Sequence, residues 1–229
     1  MNIEALVAID LISTGLALVL VYLFSKAYRL MRSTYLLGLQ IGFSYLALSY
    51  IFLAIFKLYK NNTAISEPFF WLRLIVQSYG FAFIASSYHF SKKTEKTTKY
   101  FLGTISLSSA IFIALFFAAL IVAPPFLELP SMDIVSASFR IANLVFLGYS
   151  ICNIVERFES SSKAISGLIW TSLGFSLLWL SQYSMLIWGI DDSPTAFAFA
   201  HIARLASLTL FPYIYYSSGR IASESREAQ

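Results

Sequence analysis

The chain has 229 residues, of which 58% are hydrophobic and only 12% charged, with a mean hydropathy of +0.72. That composition excludes a water-soluble globular protein, and long unbroken apolar runs exclude the alternating strands, roughly ten residues each, of a membrane β-barrel. The formal net charge of +4 does not support nucleic-acid binding, because in a membrane protein the distribution of charge between the two faces matters more than its sum.

A crossing of the bilayer core takes roughly 20 helical residues, so these residues admit at most about eight helices, and no appended soluble domain is expected among them. In chain order, apolar stretches fall at 4–25, 34–58, 68–90, 100–123, 133–155, 164–189 and 194–218. Asn61-Asn62-Thr63 divides the second from the third, Pro124-Pro125 and Pro130 the fourth from the fifth, and Asp191-Asp192-Ser193-Pro194 the last two. Pro68 and Pro194 are expected in the first turns of their helices, where a missing N–H costs nothing. The expected fold is an all-α integral membrane protein, a bundle of seven transmembrane helices over residues 1–219, with a short cytoplasmic tail at 220–229.

Charge orients this bundle. Lys26 to Arg32, Lys92 to Lys99, Glu156 to Lys163 and the end of the chain carry eleven basic against five acidic residues, a net +6. The opposite set carries Lys57 and Lys60 against Glu4, Asp10, Glu67, Glu128, Asp133, Asp191 and Asp192, a net −5. The positive-inside rule then places the N-terminus outside and the C-terminus inside, most naturally in the plasma membrane. Met-Asn-Ile-Glu-Ala lacks the basic start of a signal peptide, so the first span is expected to be retained. Asn61-Asn62-Thr63 matches a glycosylation triplet on the outer side but lies close to a helix end. Cys152 is the only cysteine and lies in an apolar run, which leaves neither a disulfide framework nor a thiolate metal site.

Ionisable residues within spans are costly, by about 2.5–3.5 kcal/mol on insertion scales, and are functional candidates for that reason. Asp10, Arg73, Arg140 and Arg204 lie on the first, third, fifth and seventh spans at one shared depth, in the outer half. Each has polar companions about one turn away: Ser13 and Thr14 for Asp10, Gln77 for Arg73, Asn143 for Arg140, His201 for Arg204. Gln182 and Tyr183, one turn beyond Trp179, add a sixth-span contribution. These stripes are expected to converge on an outward polar cavity. The competing reading pairs the arginines with Glu67, Asp133, Asp191 or Asp192 and needs no ligand. Against it, three span-embedded arginines face one span-embedded acid, a surplus of positive charge suited to an anionic or carbonyl-bearing ligand. Arg140-Ile-Ala-Asn143-Leu also echoes Arg204-Leu-Ala-Ser207-Leu, although apolar helices resemble one another by chance.

Cofactor chemistry finds few footholds. A retinal Schiff base needs a lysine in the bundle interior, and the last span has none; Lys57 is expected to be an interfacial anchor. Haem ligation by two histidines fails because His89 and His201 lie at different depths. No metal site, hydrolase or nucleotide motif is present in the sequence, and no enzymatic activity is expected. A small-solute transporter would be expected to show interrupted spans, and Pro212 alone interrupts one.

Phe69-Phe70-Trp71-Leu72-Arg73-Leu74, followed by Tyr79-Gly80, resembles the third helix of the seven-helix sensory region at the N-terminus of many microbial histidine kinases. The basic stretch Lys26 to Arg32 and the acidic turn Asp191-Asp192 fit the same layout, and Trp71 and Arg73 are the positions carried over. The resemblance implies a sensor. Nine residues follow Arg220, so no kinase output domain is expected, and a signal would pass to a cytoplasmic or membrane protein partner through the basic inner loops. Those lysines equally suit contact with anionic membrane lipids.

The sequence therefore reads as a non-enzymatic, receptor-like protein binding a small anionic or amphipathic ligand. Arg73, Gln77, Arg140, Asn143, Gln182, His201 and Arg204 are the polar contacts, with Trp71, Trp179 and Tyr183 as walls. The alternative is a non-catalytic integral subunit of a larger membrane complex.

Overall fold

The structure, a computed structural model, describes residues 3–31, 34–90, 132–156 and 165–227. These form six helices: α1 (Ile3–Met31), α2 (Thr34–Leu58), α3 (Thr63–Phe90), α4 (Met132–Val155), α5 (Ile165–Asp191) and α6 (Pro194–Glu227). All six are long and apolar enough to cross a membrane, and the chain is an integral, multi-pass membrane protein. The expected span at 100–123 lies outside the described residues. The other six fall where expected, but α1 and α6 run beyond their apolar stretches, so the anticipated boundary at 219/220 lies within α6.

Local chemistry sets the helix ends. The Asn62 carbonyl accepts the first bonds of α3, from the N–H groups of Ile65 and Ser66 at 3.1 and 2.9 Å. The helix therefore starts at Thr63, and Pro68 lies in its second turn rather than its first. Between α5 and α6, Asp192 takes a left-handed conformation (φ 49°) and donates its N–H to the Trp188 carbonyl at 2.9 Å, a helix stop that aspartate tolerates. Ser193 then caps α6, its hydroxyl reaching the Ala196 N–H at 3.4 Å, with Pro194 as the first helical residue.

Each helix packs on its neighbour in the order of the labels, and α6 closes the ring against α1. Helices α1, α3, α4 and α6 begin at one end of the bundle, where α2 and α5 finish; α3 and α4 are thus parallel neighbours, with Ser78 bonded to Asn143 and His89 near Tyr149. The closest approach is between α2 and α3. A Cβ on Gly42 would lie 2.9 Å from the Gly80 carbonyl oxygen and 2.7 Å from Ile84, so both glycines let backbone meet backbone. Gly38 and Gly42 form a G-x-x-x-G face of α2, a small-residue signal already present in the sequence.

The apolar core fills the middle of the ring. Phe43, Phe175 and Phe211 stack edge to face with centroids 4.9–5.6 Å apart, and Leu147, Leu208, Phe81 and Ile84 complete the plug. Above that plug, toward the end where α1 begins, the interior becomes charged.

Candidate functional site

Asp10 is the centre of the first charged group. It is fully buried, and its two carboxylate oxygens take one cation each: Lys57 Nζ at 2.6 Å and Arg204 Nη2 at 2.7 Å. Helix direction explains the meeting. Side chains lean toward the N-terminus of their own helix. Lys57, near the end of α2, therefore reaches down into the bundle, whereas Asp10 and Arg204, on helices that start at this end, reach up. Lys57 is thus a half-buried ion-pair partner and not the interfacial anchor expected of it. The Arg204 guanidinium also lies 4.8 Å from the centre of the Tyr50 ring, a cation–π contact, and its Nε has no partner.

The second group is unlike the first. Arg73 and Arg140 are 6% and 4% exposed and neither pairs with an acid among the described residues. Arg73 makes no hydrogen bond there, and Arg140 makes one, from Nε to the Ser136 hydroxyl at 3.2 Å. Glu67, Asp191 and Asp192 form no ion pair with either arginine; the Asp133 side chain lies outside what is described. The imidazole of His201 is buried beside them, its ring 4.4 Å from that of Phe197 and its Nε2 unbonded.

Both groups adjoin a cavity of about 420 Å³ to which all six helices contribute. Arg73, Arg140, His201, Lys57 and Ser136 are its polar lining. Ile3, Leu6, Leu53, Phe56, Phe70, Met185, Leu186, Trp188 and Phe197 make up most of the rest, and Lys60 and Asp192 stand exposed beside it. Its size and its few polar groups on apolar walls match small-molecule sites in general.

Of the ten residues expected at the site, three line this cavity: Arg73, Arg140 and His201. Arg204 is held away by Asp10. Asn143 and Gln182 lie a turn deeper and bond each other, Asn143 Nδ2 to Gln182 Oε1 at 3.3 Å, while the Asn143 Oδ1 accepts the Ser78 hydroxyl at 2.7 Å. Gln77 is buried one turn below Arg73 with its Oε1 unpaired. Trp179 and Tyr183 are not walls of the cavity. They stack on each other at 5.5 Å, Tyr183 is exposed on the bundle surface, and the Trp179 indole donates to the Leu144 carbonyl at 3.1 Å. Their helix, α5, ends at the cavity, so its side chains lean inward and away. Trp71 is buried beside Phe70 on an apolar groove between α3 and α4, with its indole N–H unbonded. The aromatic walls that the structure does use, Phe56, Phe70, Trp188 and Phe197, carry no sequence signal that separates them from lipid-facing aromatics.

No protein-family model matches this chain, and no curated protein sequence or solved structure does either. The groups that could hold a ligand are therefore assigned from geometry. Among the described residues no cluster of histidine, cysteine, aspartate or glutamate could hold a metal ion. Two guanidiniums offer the donors that oxyanions accept, in a dry setting where such bonds are strong.

Proposed function

We propose that this protein is a receptor-like or sensor-like membrane protein that binds a small anionic or amphipathic ligand in the cavity between its six described helices. One observation carries the reading: Arg73 and Arg140 are buried, line the same cavity and have no acidic partner among the described residues, while Lys57 and Arg204 share Asp10. A buried unpaired charge costs several kcal/mol, and an anionic ligand would offset that cost on arrival.

In the proposed arrangement seven spans place the cavity mouth outside the cell and the basic loops inside, where they would contact a protein partner or anionic lipid. The likeness of the third helix to the kinase-linked sensory region supports the same direction of signalling, through Trp71 and Arg73. Recognition would not require chemistry on the ligand, so no catalytic role is assigned.

The test is native mass spectrometry of the protein purified in mild detergent, alone and after incubation with a panel of small carboxylates and phosphate esters. Wild type is expected to retain a small anion, and the Arg73→Gln/Arg140→Gln variant to lose it while keeping a cooperative thermal transition. Equal retention by both would overturn the proposal. A foreign subunit at fixed stoichiometry, with no small molecule, would replace it with the subunit reading.

A further inference from the structure

The cavity has a vertical order. Along their helices, Arg73, Arg140 and His201 lie ten, eight and seven residues from the first residue of α3, α4 and α6, which puts their backbones about 10–15 Å below the helix ends. Phe56, Trp188 and Phe197 lie within three residues of the ends of α2, α5 and α6, so they form a collar nearer the mouth. Phe70, seven residues into α3, has its backbone at the level of His201, and its ring reaches to 5.4 Å from that of Phe56, joining floor and collar. Outermost are exposed Lys60 and Asp192, one of each charge. The site is therefore cationic at the floor, aromatic in the middle and polar at the rim.

We infer that the occupant is a compact aromatic oxyanion seated head-down, its charged oxygens between Arg73 and Arg140 and its ring within the collar of Phe56, Phe70, Trp188 and Phe197. This rests on the ligand-binding reading above and narrows it. The head must be anionic because the two floor guanidiniums are the cations that Asp10 leaves unmatched. One donor of Arg140 is already spent on Ser136, which orients the remainder of that guanidinium, and the unbonded Nε2 of His201 offers a neutral third contact. The body must be apolar because the collar is, and flat rings suit offset or edge-on contact with four aromatic side chains. It must be short, because the order of layers is opposite to that of a bilayer lipid. A phospholipid keeps its phosphate at the interface and its tails inward, whereas here the tail of a head-down amphiphile would project through the polar rim into water.

The experiment is a thermal-shift series on the full chain in mild detergent, with 3-phenylpropionate, 2-naphthoate and phenyl phosphate as probes. Acetate, inorganic phosphate, 3-phenylpropionamide, dodecanoate and phosphatidylglycerol are the comparisons. The aromatic anions are expected to raise Tm by about 5 °C near saturation, and the neutral amide and acetate to leave it unchanged. The carboxylate and phosphate arms separate the two head groups the floor could hold. Arg73→Gln and Arg140→Gln should each abolish the shift, and Phe197→Leu should weaken probe affinity about tenfold while retaining it. Arginine-dependent shifts from dodecanoate, phosphatidylglycerol or inorganic phosphate, without one from the aromatic anions, would overturn this inference and leave anion binding standing. No shift from any anion would overturn both.

Discussion

Two groups of cations sheltered inside the bundle occupy the same end of it, and only one of them has an acid within reach. Lys57 and Arg204 hold the two oxygens of Asp10 at 2.6 and 2.7 Å. Arg73 and Arg140 lie at the same depth, as buried as Arg204, and have among the described residues only the Ser136 hydroxyl between them. The contrast separates two reasons for keeping charge in a membrane interior. In the first group, removal of Asp10 strands both cations. In the second, the protein already carries stranded charge, and the packing of α3 and α4 sustains it.

The sharpest break in this comparison is Asp10→Ala, which leaves Arg204 buried and Lys57 half-buried without an acid. It is expected to cost about 3–5 kcal/mol, seen as a fall of roughly 10 °C in Tm in detergent. A loss under about 1 kcal/mol would mean that the two groups are energetically alike. Asn143→Leu tests the uncharged network a turn deeper. It frees Ser78 and Gln182 from their bonds and should cost about 1–3 kcal/mol, less than the ion group because no charge is exposed to apolar surroundings. The smallest effect is expected for Arg73→Leu in the absence of ligand. Exchanging an unpaired buried guanidinium for a shorter, apolar side chain should leave Tm unchanged or raise it by the equivalent of about 1 kcal/mol. A loss as large as that of Asp10→Ala would show that Arg73 belongs with the structural group.

The common depth of Asp10, Arg73, Arg140 and Arg204 is legible from counting residues between each charge and the basic end of its helix. So are six of the helices, because about 20 apolar residues leave few other conformations open in lipid. Partnership is not legible in the same way. A helical wheel shows that Arg204 and His201 share a face, but not that Asp10, 194 positions earlier, lies across from one of them. The lean of side chains toward their helix start decides the rest. It turns Lys57 from a surface anchor into a reach of one turn downward, and it carries Gln182 and Trp179 away from the cavity that α3, α4 and α6 face. Phe56 and Trp188 could not be picked out at all, since an aromatic near a helix end has the same composition whether it faces lipid or ligand.

The Asp10 cluster also bears on the order in which the chain is made. Asp10 and Lys57 are separated by 47 positions, so both are present as soon as α1 and α2 have been synthesised. Those two helices can enter the bilayer as a hairpin in which Asp10 and Lys57 pair, which spares the insertion machinery an isolated carboxylate. Arg204 is translated much later, on the last helix, and finds the free oxygen of a carboxylate already in place. A single aspartate thus serves first as the licence for the opening hairpin and then as the latch by which the final helix closes the ring.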